Sequence, residues 1–265
     1  MSAVTPLPSS VLPDGPPETV VAVRDLWKTF DSVVALAGVS LAVRRGEIQV
    51  IMGPSGCGKS VLLKHLVGLL KPDRGEVRVF DHPVPELAES DLDALRMQMG
   101  VVFQSAALFD SLTVTENVAF PLRRHRRLPE HEVAQRVAGL LALVEMEGTE
   151  PLMPSALSGG MRKRVGIARA LALSPTLILY DEPTSGLDPL TARTVDDLIL
   201  RLRADLGVTS VVVTHSLDSA FRLADRLAVM DAGQLCAAGT PEEILASSVP
   251  FVRRFLDTRA IEVNR

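Results

Sequence analysis

The sequence predicts an α/β fold built on a parallel sheet, with a helical subdomain inserted into it. Short apolar, β-branched runs alternate with helix-period patterns along most of the chain, as in strand–helix–strand units. The glycine-rich stretch GPSGCGKS (53–60) lies between the end of an apolar strand and the start of a helix, the setting of a phosphate-binding loop. Between Ser105 and about Arg164 no strand pattern occurs, which assigns that segment to helices outside the sheet.

The first twenty residues hold five prolines and few large apolar side chains, and residues 1–19 are expected to form a flexible tail. The folded domain is expected over 20–247, with its helical subdomain at about 105–164 and a C-terminal helix and tail over 248–265. TVVAVRDLWKTF, VVALAGVSLAV, EIQVIMG and GEVRVFD read as strands, punctuated by Gly38 and Gly46. Helices are expected at Lys59–Leu70 and Ser90–Met97, and a strand at Met99–Phe103. TVTE (113–116) has capping-box spacing and predicts a short helix ending before Pro121. Helices at about Glu130–Val144 and Leu157–Leu173, strand TLILYD, helix Thr191–Leu206 and strand TSVVVTH follow. LAVMDAGQLCAAG reads as a hairpin turning at Asp231–Gly233, and TPEEILAS opens with a cap and a first-turn proline. The segment from Val249 is expected to pack as a helix.

At 265 residues, 47% hydrophobic and 23% charged, the chain has the composition of a globular protein able to bury a substantial core. A net charge of −4 supplies no global basic field, and no nucleic-acid partner is expected, although arginines cluster in RRHRR (123–127). Those arginines are read as a solvated helix face, with contact to anionic headgroups as the alternative. Two cysteines, Cys57 and Cys236, make no disulfide framework, and no basic-then-apolar leader is evident, so a reducing cytoplasm is the expectation. No window approaches eighteen uninterrupted apolar residues, and the chain is not expected to cross a membrane by itself.

Gly53, Pro54, Ser55, Gly56, Cys57, Gly58, Lys59 and Ser60, with Val61 next along, are the expected phosphate-binding residues. Glycines let the backbone wrap closely, so that successive N–H groups and the helix N-terminus face phosphate oxygens. Lys59 is placed to reach the β/γ-phosphates and Ser60 to hold Mg²⁺. Cys57 is read as a tolerated small side chain. TLILYDEP (176–183) is an apolar strand ending in two acids: Asp181 fits a water-mediated role on Mg²⁺, and Glu182 would polarise the attacking water.

LSGGMRKRVGIARAL (157–171) resembles the signature motif of ABC-transporter ATPases, and the order phosphate loop, glutamine, signature, acidic strand end, SGLD, histidine is similar to theirs over about Val20–Ala246. The resemblance implies a P-loop NTPase core of RecA-like type with an antiparallel β subdomain and the inserted helical one. It implies ATP and Mg²⁺ as cofactors and a homodimer in which Ser158, Gly159 and Gly160 contact the γ-phosphate held by the opposite copy. It further implies that Gln104 senses Mg²⁺ and γ-phosphate, that Ser185–Asp188 form the D-loop, that His215 is the switch histidine and that Phe30 stacks on adenine. Catalysis is thus expected from Glu182, His215 and Gln104, and metal contact from Ser60, Gln104 and Asp181. Met161 stands where Gln is commoner in the family, which puts that amide's hydrogen bonds in doubt.

FQSAALFDSLTVTENVAFPLR, the Met-ended LSGGM with the basic residues Arg162–Arg164, and VRRFLDT together resemble the ATPases of Mla/Mce-type lipid-transport systems. That resemblance implies phospholipid or another apolar lipid as cargo, and a membrane permease docking on about 105–122 through Ala106, Ala107, Leu108, Phe109 and Leu112. It also implies an Mce-domain lipid-binding partner and a peripheral location on the cytoplasmic face of the inner or plasma membrane. The alternatives are an importer ATPase for a small polar solute, a soluble ABC protein of translation or repair, and a P-loop kinase. The signature and Glu182 beside Asp181 argue against the last.

Overall fold

The computed structural model describes residues 18–126 and 128–262. Residues 1–17 of the expected N-terminal tail, Arg127 and residues 263–265 lie outside the described residues; the last two residues of that N-terminal tail are ordered, Glu18 bonding Arg45 and Thr19 opening the first strand.

Strands β1 (Thr19–Phe30) and β2 (Val33–Arg44) form a long antiparallel pair, which β4 (Arg74–Val79) and β5 (His82–Pro83) extend into a four-stranded sheet ordered β2-β1-β4-β5. The second sheet has six strands in the order β10-β9-β3-β8-β7-β6. They are β3 (Ile48–Met52), β6 (Met99–Val102), β7 (Leu177–Asp181), β8 (Thr209–Thr214), β9 (Arg226–Asp231) and β10 (Gln234–Gly239). All pair in parallel except β10, which closes the sheet by an antiparallel hairpin from β9. β3 and β8 are buried along their whole length, so IQVIM and TSVVVT read as continuous rather than alternating runs; strands covered on both faces have no polar side to show.

Helix α1 (Lys59–Leu66) lies between the two sheets, with Leu62, Leu63 and Leu66 in the core they share. It is shorter than the periodicity predicts. Gly68 (φ 69°) sits just past its end, with Gly68 N–H donating to His65 O and Leu69 N–H to Lys64 O, a Schellman closure. A Cβ at Gly68 would come 2.7 Å from the end of the Leu92 side chain on α2 (Glu89–Arg96), so a larger residue there would also push Leu92 aside.

The described residues between β6 and β7 hold no strand; their α-helices are α3 (Val114–His125), α4 (Glu130–Leu143) and α5 (Gly159–Leu171). Thr113 and Glu116 make the capping box in both directions, Thr113 N–H to Glu116 Oε2 at 2.7 Å and Glu116 N–H to Thr113 Oγ1 at 3.2 Å. α3 does not end before Pro121 as expected. It runs through the proline to His125. An interior proline costs about 3 kcal/mol, but Val118, Ala119 and Leu122, fully buried on both sides of it, keep the helix on the core.

Helices α6 (Pro189–Leu206) and α7 (Leu217–Leu223) join α3–α5 in the larger core. α8 (Pro241–Leu245) starts at the expected Thr240 cap and Pro241, where the structure adds Glu243 as the other half of a capping box, and α9 (Pro250–Glu262) ends the described chain. The hairpin turn, Ala232 (φ 42°) and Gly233 (φ 79°), has the positive φ pair of a type I′ turn. It reaches back: Gly233 N–H donates to Cys57 O and Ala37 N–H to Gly233 O.

Candidate active site

Strands β3, β8, β7 and β6 are consecutive neighbours in the sheet, and the residues leaving their carboxyl ends meet there, as open parallel sheets arrange. β3 runs into GPSGCGKS. A Cβ at Gly53 would lie 2.1 Å from Met230 O, and one at Gly58 (φ 108°) 2.5 Å from Ala35 O, so only glycine fits this approach of three backbones. Gly58 precedes α1 without a capping side chain, and the first turn carries no acid, so its N–H groups face outward for an anion. Lys59, 5% exposed, donates to Gly53 O (2.8 Å) and Pro54 O (3.0 Å) and lies 3.6 Å from Glu182 Oε1.

Ser60 Oγ donates to Asp181 Oδ1 at 2.8 Å, joining the phosphate loop to the end of β7. Burial pushes the Asp181 carboxyl upward, and the Ser60 hydrogen bond opposes this. Glu182 is buried with φ 50°, a left-handed conformation that a non-glycine residue adopts at a cost of order 1–3 kcal/mol. Its Oε2 accepts from the His215 backbone N–H (3.3 Å) and lies 2.8 Å from His215 Nδ1, so the ends of β7 and β8 hold one carboxylate. Gln104, leaving β6, donates through Nε2 to Ser185 Oγ at 3.3 Å. The structure thus brings Ser60, Asp181, Glu182, Lys59 and His215 together, and ties Gln104 to the D-loop segment.

Ser158 caps α5, accepting from Met161 N–H at 3.2 Å. A Cβ at Gly160 would meet Thr191 Cγ2 at 2.4 Å, and one at Gly159 Leu187 Cδ2 at 3.1 Å, so within one chain the two glycines seat α5 against the start of α6. Asp188 caps α6, accepting from Leu190 and Thr191 N–H; the Thr191 side-chain hydrogen bond first, and then these N–H bonds, hold its carboxyl below the usual range. Phe30 ends β1 with 41% of its surface exposed and Lys28 Nζ 5.6 Å from its ring centre. Met161 packs against the larger core, a use of its side chain that asks for no amide. Cys57 is buried, which pushes its thiol up, away from reactivity.

Residues 36–185 match the ABC transporter family. This chain belongs to that family. It is the ATP-hydrolysing subunit of an ABC transporter. It is 42% identical over 241 residues to the probable ribonucleotide transport ATP-binding protein mkl of Mycobacterium tuberculosis H37Rv, covering 91% of this chain and 67% of that one. It is 41% identical over 238 residues to the intermembrane phospholipid transport system ATP-binding protein MlaF of Escherichia coli K12, covering 90% and 88%. Among solved structures, it resembles the dimeric post-hydrolysis state of the ATP-binding cassette MJ0796 bound to ADP and Pi (TM-score 0.77, 35% identity, 83% and 98% covered). It also resembles cbiO1 of Clostridium perfringens, part of the transporter complex cbiONQ (TM-score 0.80, 31%, 93% and 97%). Among the described residues no helix is long and apolar enough to cross a membrane.

This ABC ATPase also has an apolar groove of about 470 Å³, lined by Met99, Phe103, Ala107, Phe109, Phe120 and Arg169 among others. Phe109 and Phe120 are exposed with ring centres 4.8 Å apart, and Arg169 lies over Phe109. The expected docking residues divide: Ala107 and Phe109 face the groove, whereas Ala106 is buried and Leu108 packs on the core. Ala106 and Ala107 hold φ of 61° and 46°, and turning the chain this way points neighbouring side chains to opposite sides. Phe120, inside the expected docking segment but not among its named residues, reaches the groove from α3.

Sequence reasoning missed Asn117 and Asp196. Asn117 is fully buried, accepts from Phe109 N–H and donates to Phe109, Leu112 and Thr113 carbonyls, so one amide shapes the loop before α3. Asp196, on α6, is buried beside Ser219, which in turn bonds Thr184. Burial pushes its carboxyl up to about 6, against the Ser219 hydrogen bond and the charge of Arg222; Asp197 and Asp218 add to the rise. The unfolded chain ionises this group near pH 4, so its contribution to stability is complete below about 4 and lost as pH rises through about 6. Asp196→Asn is expected to raise stability at about pH 7.5 by on the order of 2 kcal/mol and leave it nearly unchanged at about pH 4. Melting temperatures at the two pH values check this; an equal shift at both would reject the titration account.

Proposed function

We propose that this chain powers lipid transport of the Mla/Mce type, as a homodimer on the cytoplasmic face of the inner or plasma membrane. A permease docks on it and an Mce-domain protein carries the lipid. The carrying observation is the 41% identity to the phospholipid-transport ATPase MlaF over 88% of that protein. The groove at Phe109 and Phe120 supports a helix-in-groove contact for the permease.

ATP lies between the phosphate loop of one copy and Ser158, Gly159 and Gly160 of the other, with Phe30 against adenine. The backbone N–H groups of the loop from Gly53 to Val61, Pro54 having none, and the Lys59 ammonium bind the phosphates and neutralise charge that grows in the transition state. Ser60 and Asp181 offer hard oxygen donors 2.8 Å apart beside that loop, which fits Mg²⁺, an ion that takes one or two protein oxygens and completes its shell with phosphates and water. Gln104 completes the set from the β6 side. When bound, the metal screens the phosphate oxygens.

Glu182 accepts a proton from the attacking water as its oxygen bonds to the γ-phosphorus and the bond to the β–γ bridging oxygen breaks, giving ADP and phosphate. His215 Nδ1 fixes the carboxylate at 2.8 Å, and the turn at Asp188 keeps the D-loop in place. Loss of the shared phosphate lets the halves part, and the segment after Gln104 carries that change to the permease.

A second reading, a polar cargo, is favoured by the similar identity to mkl, whose name specifies ribonucleotide transport. Isolation from membranes with partners, followed by mass spectrometry of bound small molecules, separates the two. Lipid with an Mce-domain partner is the expected result; a nucleotide- or solute-binding partner without lipid overturns the lipid reading. Replacing Phe109 and Phe120 together with Ser is expected to cut permease co-purification by about tenfold or more, since two exposed aromatic anchors are lost. Unchanged recovery would place docking elsewhere.

A further inference from the structure

The run Arg162–Lys163–Arg164 follows the signature glycines, and its members have three different fates. Arg162 is exposed and donates to Leu157 O, while Arg164 pairs with Glu145 at 3.6 Å. Lys163 is only 5% exposed, and its ammonium is held by backbone: Nζ donates to Gln104 O at 2.5 Å and to Glu182 O at 3.0 Å. Burial lowers its pKa, with the charges of Glu182 and Asp181 opposing this. A buried lysine is costly to keep charged, and packing alone would be served as well by Met. Here it gathers the residues that leave two adjacent strands, β6 and β7, onto the helix that Ser158 caps.

We propose that Lys163 is a positioning residue that connects the start of α5, which meets the opposite copy's nucleotide, to Glu182 and Gln104 in its own chain. This inference rests on the nucleotide-site reading above. Its physical basis is the backbone of Glu182, held at φ 50°. With the carbonyl pinned, rotation of that peptide is resisted, and the carboxylate keeps its direction toward the attacking water. Gln104 is pinned in the same way, so a shift or rotation of α5 as Ser158 meets phosphate moves both residues together. One copy's γ-phosphate contact thereby sets the other site's hydrolytic geometry, through a single side chain less than two turns from the cap.

The test uses the full chain carrying Lys163→Met, Lys163→Arg or Glu182→Gln, with kcat, KM for ATP and melting temperature measured for each. Lys163→Met is expected to lower kcat by about tenfold or more while KM changes by less than about threefold, the signature of a contact that matters in the transition state. Lys163→Arg, which keeps donors and charge, is expected to restore kcat to within about threefold of the unaltered protein. Should Lys163→Met fail to fold, Lys163→Gln is read by the same criteria. A kcat within about twofold of the unaltered protein in the Met (or Gln) variant overturns the proposal, as does a KM rise matching the kcat loss or a failure of Arg to rescue. If Glu182→Gln hydrolyses ATP normally, the site reading itself fails; if only the Lys163 variants are normal, that reading stands and the positioning role falls.

Discussion

Glu182→Gln is expected to lower kcat for ATP hydrolysis by at least about 10²-fold, some 2.7 kcal/mol of barrier, with ATP affinity within about threefold. The reasoning is local. Glutamine keeps the size of the side chain and can accept the His215 N–H bonds that Glu182 Oε2 accepts at 3.3 Å and receives from the ring at 2.8 Å, so the strained turn at φ 50° has no new reason to change. What is lost is the anionic oxygen able to take the water proton. Binding without turnover then accumulates the ATP-joined dimer, visible as a shift to dimer mass in size exclusion with light scattering on adding ATP. Normal turnover would remove Glu182 from the base role.

Lys59→Ala is expected to weaken ATP binding by about 10²-fold or more, since charge-assisted bonds to phosphate are worth roughly twice neutral ones and the site has lost its central cation. Lys59 also bridges Gly53 O, Pro54 O and Glu182 Oε1, so its removal leaves two carbonyls and a buried carboxylate without that partner. Titration with a fluorescent ATP analogue gives the affinity. Unchanged binding would mean that the backbone N–H groups alone hold the phosphates.

Where the fold was legible in the sequence, a single local signal decided the matter. The alternation of IQVIM, TLILYD and TSVVVT with helical runs gave the parallel sheet, and the capping box at Thr113/Glu116 and the cap followed by a proline at Thr240–Pro241 gave two helix starts to the residue. Where tertiary packing outweighed a local rule, the reading failed. Pro121 marks a stop by itself, yet Val118, Ala119 and Leu122, buried on both sides of it, carry α3 on to His125. Gly68 was a stop signal present in the sequence and passed over, because the apolar period continues through Leu69 and Leu70. Of the candidate site, spacing and motif order picked out Lys59, Ser60, Asp181, Glu182 and His215, which the fold brings into contact. Lys163 and Asp196 were not legible: a lysine in a basic run and one of two adjacent aspartates on a helix carry no sequence mark of being the buried one.

The phosphate loop is walled by parts of the chain that come much later. β3 is flanked by β8 and β9, a Cβ at Gly53 would collide with Met230 O, and Gly233 donates to Cys57 O. During synthesis the GPSGCGKS segment therefore emerges long before it can take its final shape, and the nascent chain gains affinity for ATP only after the hairpin at Ala232–Gly233 has left the ribosome. Nucleotide in the cell then stabilises an almost finished protein by mass action and gives little help to its early folding intermediates.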